Sequence, residues 1–284
     1  MACKREQYLR QQAELGGGEV YLESSQVKGL WTEVKGSETE SAPSPSESIT
    51  QSSVLSPSHS SDSIPRWKKD PPPIPGAGLT IEPPALALMG DEISQLESLE
   101  ALAAVVNVCR KCPLCEGRTH AVPGEGNPRA RLMCIGEGPG ATEDATGRPF
   151  VGQAGELLNG ILASIGIARE EVYIANIVKC RPPQNRKPLP DEAAACLPYL
   201  HRQIALVRPQ VILALGGTAA EGMLGVKRSL GDLRNQVHRF AGIPLIVTYH
   251  PAALLRNPNW KKPTWDDVRI ARQLLDQAGE LTGS

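Results

Sequence analysis

Long apolar runs are missing from this sequence, which nowhere has 18 apolar residues in succession. A transmembrane helix needs about 20 such residues, so we expect no membrane span. The first residues, MACKREQYLRQQAEL, also lack the apolar core of a secretory signal, and we therefore expect a cytoplasmic protein. The fingerprints G-x-G-x-x-G and G-x-x-x-x-G-K-S/T are absent as well, so nothing supports the usual modes of nucleotide-cofactor binding.

A strong overall charge is also lacking, because the formal net charge is −1. This total conceals an asymmetry along the chain. Residues 1–97 have 8 Lys and Arg against 14 Asp and Glu, whereas residues 98–284 have 22 against 17. A basic body beside an acidic N-terminal region favours a polyanionic partner for the body.

The N-terminal region has a composition that differs from the rest. Residues 37–65 consist largely of Ser, Pro, Glu and Thr and contain too little apolar surface to offset the entropy of ordering. We therefore predict a largely disordered, low-complexity region over residues 1–92, with a short helix at 4–14 and an extended proline-rich spacer at 71–78. The folded domain is predicted to span residues 93–284 and to begin with a helix near Ile93.

Within this domain, short apolar segments alternate with amphipathic ones. The predicted strands are Leu132–Gly136, Val172–Val178, Gln210–Leu215 and Pro244–Tyr249. The predicted helices that separate and follow them are Glu156–Ile165, Asp191–Leu206, Thr218–Leu224 and Thr264–Ala278. This alternation predicts an α/β fold with a mostly parallel four-stranded sheet covered by helices on both faces. Ligands of such sheets bind at the carboxyl ends of the strands, where Gly136–Gly140, Asn176 and His250 are found.

Seven cysteines are an odd number for a disulfide framework, and without an export signal we expect metal ligation instead. Cys109 and Cys112 form C-x2-C, and Cys180 and Cys196 form C-x15-C. Two such pairs suit either Zn²⁺ or an iron–sulfur cluster, and their spacing does not distinguish the two. Cys115 offers a second C-x2-C with Cys112, so the ligand set also stays open. We expect a structural role for the metal.

Three side chains near the strand ends suit a flat, polar ligand. Phe150 lies in the polar stretch TGRPFVGQAG, where it can anchor its loop or stack on a planar ring. Asn176 interrupts a buried strand, so its amide either bonds a neighbouring loop or faces a ligand with one donor and one acceptor. His250 follows the last strand and is either structural or a site residue.

Leu254 and Arg256 follow His250 in HPAALLRNP. An apolar residue beside a cation on a surface loop can be loop packing, or a wedge that enters a base stack.

Taken in order, these fragments resemble the iron–sulfur, family 4 uracil-DNA glycosylases. The resemblance covers the chain from about Cys109 to the C-terminus. It consists of the CxxC and EGRT of residues 109–119, GEGNP at 124–128, GEGPGxxED at 136–144, TGRPFVGxAGxLLN at 146–159, NIVKCRPPxNRxPxPDE at 176–192 and HPAxLLRNP at 250–258.

The resemblance implies a three-layer α/β/α fold and a [4Fe–4S] cluster on Cys109, Cys112, Cys180 and Cys196. It implies a uracil pocket formed by Gly136, Glu137, Gly138, Phe150, Asn176 and His250. Gly138 occupies the position at which better-known uracil glycosylases have a water-positioning Asp, so an Asp-base mechanism is not expected.

In the implied reaction, the uracil leaves the DNA stack before the N-glycosidic bond breaks. Phe150 stacks on the base, Asn176 recognises its Watson–Crick edge and His250 stabilises the charge that develops on O2. Glu137 or Glu143 assists the cationic sugar or the water, and the sequence does not choose between them. Leu254 and Arg256 are the candidate wedge.

The implied partner is uracil-containing DNA, single- or double-stranded, and we expect a nucleoid-associated monomer that does not bind membranes. The alternative function is a non-catalytic nucleic-acid-binding module with a metal cluster.

Overall fold

The computed structural model describes residues 64–82 and 92–282. By its contacts the chain divides into two units, Met1–His59 and Ser60–Ser284, and the described residues all belong to the second. The helix predicted at residues 4–14 lies outside the described residues, as does most of the predicted disordered region.

Within the described residues, seven strands form one mixed, mostly parallel sheet in the order β1-β6-β7-β5-β3-β4-β2. The strands are β1 (Ala77–Ile81), β2 (Glu125–Gly126), β3 (Leu132–Gly136), β4 (Tyr173–Asn176), β5 (Val211–Leu215), β6 (Val237–Phe240) and β7 (Ile243–Thr248). The prediction of an α/β fold is confirmed, but the predicted number of four strands is wrong.

The four strands predicted from apolar runs are β3, β4, β5 and β7, which are consecutive neighbours in the sheet and mutually parallel. The strands that were not predicted lie outside this group. β2 pairs antiparallel with β4, β6 pairs antiparallel with β7, and β1 pairs parallel with β6. These outer strands are partly exposed, so they lack the continuous apolar runs that mark buried parallel strands.

Strand β1 lies before residue 93, at the end of the proline-rich stretch 71–78. Its Leu79 N–H donates to Nδ1 of His238 at 3.0 Å, and the other ring nitrogen of His238 is 2.7 Å from the carbonyl of Leu233. Residues 77–81 therefore contribute to the sheet, although their composition predicted a spacer.

Nine α-helices are described, and no helix in this part of the chain is long and apolar enough to cross a membrane. They are α1 (Leu99–Val108), α2 (Leu114–Gly117), α3 (Ala141–Thr146), α4 (Gln153–Ser164), α5 (Pro190–Val207), α6 (Gly217–Leu224), α7 (Leu230–Leu233), α8 (Pro251–Arg256) and α9 (Lys261–Thr282). The long helices α4, α5, α6 and α9 confirm four predicted helices, with ends that differ by a few residues. The segment predicted as a helix from near Ile93 contains a 3₁₀-helix, Glu92–Gln95, followed by α1, which begins at Leu99 with Ser98 as its N-cap.

The core is divided between the two faces of the sheet. Successive side chains of a strand point to opposite faces, and β3 shows this alternation. Met133 and Ile135 pack with residues of α1, α5 and α6, whereas Leu132 and Cys134 pack with residues of α4 and α9. Helices therefore cover both faces of the sheet.

Candidate active site and cysteine site

The carboxyl ends of the parallel strands β3, β4 and β7 meet at one cavity of about 330 Å³. Strand register places Gly136 directly opposite Asn176, and His250 follows β7 as the N-cap of α8. The cavity is lined by Glu137, Gly138, Pro139, Gly140, Glu143, Phe150, Ala154, Asn176, Pro182, Asn185, Arg186, His250, Ala252 and Arg256.

The structure brings the predicted pocket residues together. Five of the six line the cavity, and the sixth, Gly136, lies immediately behind it. A Cβ atom on Gly136 would be 2.4 Å from Oδ1 of Asn176 and 2.6 Å from Cζ of Phe150. Any side chain at Gly136 would therefore displace these two residues.

Gly138 has no room for a larger side chain either. A Cβ atom there would be 2.7 Å from Cγ2 of Val178, which is fully buried beside it. The contact with Val178 therefore favours glycine over a carboxylate-bearing residue at position 138.

Asn176 ends β4 and is 1% exposed. Its Oδ1 is buried and has no hydrogen-bond partner among the residues that the structure describes. Leaving a buried acceptor unpaired costs about 1–3 kcal/mol, so such atoms need an explanation. An oxygen that has no protein partner and borders a cavity is placed to accept a hydrogen bond from a ligand.

His250 is held as a neutral donor. Its Nδ1 accepts the N–H of Ala252 at 3.2 Å, so the ring proton is on Nε2. Burial, together with the charge of Arg256 and against that of Glu143, lowers the pKa of His250 to about 4. Its ring stacks on that of Phe150, with centroids 5.5 Å apart and 30° between the planes. The neutral imidazole can donate from Nε2 to an acceptor.

The two candidate carboxylates have different surroundings. Oε2 of Glu137 accepts a short hydrogen bond of 2.5 Å from the hydroxyl of Thr218. Glu143 instead bonds main chain with both oxygens: Oε1 accepts from the N–H groups of Val151 and Gly152, and Oε2 from that of Gly140. Glu143 therefore organises loops around the cavity, whereas the one hydrogen bond to the Glu137 carboxylate within the described part of the chain comes from Thr218.

The leucines of α8 differ in exposure. Leu254 is 1% exposed and belongs to the core, so in this conformation it is not available to enter a base stack. Its neighbour Leu255 is 49% exposed, and Arg256 is exposed beside the cavity.

A second, smaller cavity is lined by five cysteines. They are the four predicted ligands, Cys109, Cys112, Cys180 and Cys196, together with Cys115. All are free thiols, and burial raises the pKa of Cys196 to about 12 in the bare chain. The geometry therefore assembles both predicted pairs and keeps Cys115 within the same site.

Three cationic residues, Lys111, Arg118 and Lys179, line this cysteine site. Arg118 donates to Sγ of Cys180 at 3.0 Å, and the main-chain N–H of Lys179 donates to Sγ of Cys196 at 3.3 Å. The buried Nζ of Lys179 donates to the carbonyl of Asn176 and to Oε1 of Gln203. Lys179 thus lies between the cysteine site and the strand end that carries Asn176.

The donor set suits an iron–sulfur cluster. Such clusters are bound by four cysteine sulfurs and are tuned by hydrogen bonds to them. Five cysteines line this cavity, and two of their sulfurs, those of Cys180 and Cys196, accept the hydrogen bonds described above. Within residues 64–82 and 92–282, no group of three or more His, Cys, Asp or Glu side chains is arranged to hold a metal ion. The cysteines therefore suit a cluster by their sulfur donors and by the cavity that they share.

Sequence reasoning missed several residues of the site. Thr218 lies in the first turn of α6, just after β5, so the rule that ligands bind at strand ends could have indicated it. Asn185 and Arg186 come from the loop before α5, where Arg186 forms a two-point ion pair with the buried Glu192 at 2.6 and 2.8 Å. Nothing in the local sequence shows that this loop folds over the cavity.

Comparison with known proteins finds relatives of one superfamily. The model of the uracil DNA glycosylase superfamily matches residues 123–271. A type-4 uracil-DNA glycosylase of Pyrobaculum aerophilum is 46% identical over 168 residues, which are 56% of this chain and 86% of the relative. Another of Thermotoga maritima is 45% identical over 187 residues, 64% of this chain and 97% of the relative. A type-5 uracil-DNA glycosylase of Thermus thermophilus is 32% identical over 188 residues, 53% of this chain and 85% of the relative.

Proposed function

The chain belongs to the type-4 uracil-DNA glycosylases of the uracil DNA glycosylase superfamily, and from this we propose how its strand-end cavity removes uracil from DNA. It is an enzyme of DNA repair, so the alternative of a non-catalytic binding module is set aside. The proposal for the pocket rests on the unpaired Oδ1 of Asn176, because this atom supplies the hydrogen-bond acceptor that uracil N3–H requires.

Recognition begins when the uracil leaves the base stack, which costs roughly a few kcal/mol. In the cavity, Phe150 stacks on the ring, Oδ1 of Asn176 accepts from N3–H and its amide NH₂ donates to O4. Cytosine has an amine in place of O4 and no proton on N3, so it would leave both amide groups mismatched. The pocket therefore selects uracil by hydrogen bonding as well as by shape.

Cleavage of the bond between N1 and C1′ leaves the electron pair on uracil and positive charge on the sugar. A water oxygen then bonds to C1′ and loses a proton, which balances the charge of the released uracil anion. The Nε2–H of neutral His250 donates to the charge that builds up on O2, which lowers the barrier without a prior proton transfer. Glu137, oriented by Thr218, is the carboxylate that we assign to the cationic sugar or the water. Gly138 takes no part as a base.

The activity and its selectivity can be tested in one assay. We expect the protein to release uracil from single- and double-stranded oligonucleotides and to leave alkali-labile abasic sites. Matched oligonucleotides with cytosine or thymine at the same position should stay intact. Cleavage of the cytosine substrate at a comparable rate would contradict the assigned role of Asn176.

We move the proposed wedge from Leu254 to the exposed Leu255, with Arg256 beside it. Leu255→Ala should lower excision from duplex DNA about tenfold and leave excision from single strands unchanged, because only a duplex has a stack to fill. Leu254→Ala is the control, since a buried deletion of this kind costs about 2–5 kcal/mol of stability and not duplex selectivity. A fall in the duplex to single-strand ratio for Leu254→Ala alone would restore the original assignment.

We further propose that Cys109, Cys112, Cys180 and Cys196 would hold a [4Fe–4S] cluster. The cluster would join the segment before β3 to α5 and to the loop after β4. We therefore propose that its role is structural and not redox. Its negative charge would be balanced by Arg118 and Lys179, neither of which forms an ion pair with a carboxylate among the described residues. Lys179 would in addition fix the carbonyl of Asn176, to which its Nζ donates.

Cysteine replacement separates the ligands from the fifth thiol. Each single replacement of a proposed ligand by serine should abolish bound iron and the visible absorbance and should lower the melting temperature. Cys115→Ser is the matched control and should keep iron, colour and stability. Loss of iron in Cys115→Ser, or full iron in Cys180→Ser, would show that the ligand set is different.

We also propose a partner, an oligomeric form and domain bounds for this protein. Uracil-containing DNA, single- or double-stranded, is the proposed partner, and a monomer associated with the nucleoid is the proposed form. We keep residues 93–284 as the proposed glycosylase domain, with β1 added to its sheet from the preceding region.

A further inference from the structure

Phe150 has an unusual backbone for an aromatic residue. Its φ is +51°, in the left-handed region that favours glycine, and it is 6% exposed. A side chain is kept in this region only when its surroundings fix it there. The Phe150 loop, residues 149–152, must therefore be held by specific contacts.

Two charged side chains hold this loop from opposite sides. Arg169 donates to the carbonyls of Pro149 and Phe150 at 2.7 and 3.0 Å. Glu143 accepts the next two main-chain N–H groups, those of Val151 and Gly152, both at 3.0 Å. One main-chain polar group of each of the four residues 149–152 is thus bonded by either the guanidinium of Arg169 or the carboxylate of Glu143.

Arg169 is itself fixed by its neighbours. Its guanidinium also donates to Oε1 of Glu125 at 2.7 Å and to Oδ1 of Asn159 at 3.1 Å, and its side chain is only 15% exposed. Burial raises the pKa of Glu125, but the hydrogen bonds from Arg148 and Arg169 outweigh it and hold the pKa below its ordinary value. A charged, forked donor of this kind keeps a defined position.

Helix α4 packs closely against the Phe150 loop. A Cβ atom on Gly155 would lie 1.9 Å from the carbonyl oxygen of Phe150, so the first turn of the helix packs directly on that peptide. The ring of Phe150 in turn stacks on His250 and borders the cavity.

We propose that Arg169 is a positioning residue for uracil excision, which acts by fixing the peptide of Phe150 so that its ring faces the flipped base. Arg169 does not line the cavity and reaches the reaction through Phe150 alone. The inference rests on the proposed stacking role of Phe150. A small displacement of a positioned group can cost about 10²-fold in rate, which sets the expected scale.

The test is a double-mutant cycle of Arg169→Gln and Phe150→Ala under single-turnover conditions. Arg169→Gln should lower the rate of uracil release about 10- to 100-fold and should weaken inhibition by free uracil by a similar factor. In the Phe150→Ala background the same change should add little, because the ring that Arg169 positions is gone. Losses that multiply in the double variant would overturn the proposal.

Arg148→Gln is the matched control. Arg148 also pairs with Glu125 but is 62% exposed and does not bond the Phe150 loop, so its removal should leave the rate and the uracil inhibition unchanged. An equal loss in Arg148→Gln would assign the effect to the charge of Glu125 and overturn the proposal. If Arg169→Gln does not fold, Arg169→Lys keeps the charge without the fork and should show the same non-additivity.

The outcome also separates this inference from the one on which it rests. Full activity of Phe150→Ala would remove the proposed stacking role. An impaired Phe150→Ala with a fully active Arg169→Gln would remove only the role of Arg169.

Discussion

Replacing Asn176 with alanine is expected to lower kcat/KM for uracil excision about 10³-fold. The side chain would make two hydrogen bonds to uracil in a buried site, each worth about 2 kcal/mol when its loss leaves the partner unpaired. Together they amount to about 4 kcal/mol, and each 1.4 kcal/mol is a factor of ten in rate. Single-turnover release of uracil from a defined oligonucleotide measures this loss.

The matched control is Asn107→Ala, which removes an exposed amide outside the cavity and should keep full activity. Asn176→Ala should also keep its iron and its melting temperature, because the unpaired Oδ1 contributes no hydrogen bond to the fold. A variant that loses stability and colour together with activity would point to a structural role for Asn176. Full activity in Asn176→Ala would remove the proposed pocket.

His250→Ala is expected to lower the rate of bond cleavage about 10²- to 10³-fold, the usual cost of losing one donor to a developing negative charge. Binding of DNA that carries no uracil should be unchanged, since His250 is assigned to the leaving base. His120→Gln is the control, because His120 is exposed and does not line the cavity. Equal losses in both variants would show that the effect is not specific to the site.

The pH dependence tests the protonation state of His250. Its pKa of about 4 lies below the ordinary value near 6.5, so the folded protein holds the neutral form. Titration of His250 should therefore leave the rate constant from pH 8 to about pH 5 and lower it as the pH approaches 4. A rate that halves near pH 6.5 would show that His250 titrates as an ordinary histidine.

The same shift affects stability. Above pH 6.5 His250 is neutral in both the folded and the unfolded chain, so its shifted pKa does not change the free energy of unfolding. Between pH 6.5 and 4 the unfolded chain binds a proton that the folded chain does not, so stability falls as the pH falls. The melting temperature of the parent protein should therefore decline over this range more than that of His250→Gln. Equal declines would contradict the depressed pKa.

Much of the fold could be predicted because its centre consists of buried parallel strands. Such strands have continuous apolar runs, and β3, β4, β5 and β7 were all found from them. The outer strands could not be found in this way. β6 is partly exposed and carries His238 and Arg239, while β1 follows a proline-rich stretch whose composition indicates a spacer. Their pairing depends on neighbours far away in the sequence.

The sequence by itself determined the family, the apolar strands and the set of residues at the strand ends, because these depend on local residue types and their order. Only the tertiary structure decided what each side chain is free to do. It buries Leu254 and exposes Leu255, commits Glu143 to main-chain N–H groups and leaves Oδ1 of Asn176 without a partner. It also brings Arg169 to the carbonyl of Phe150, 19 residues earlier in the chain. Burial and hydrogen-bond partners arise from contacts between distant segments, and no local pattern records them.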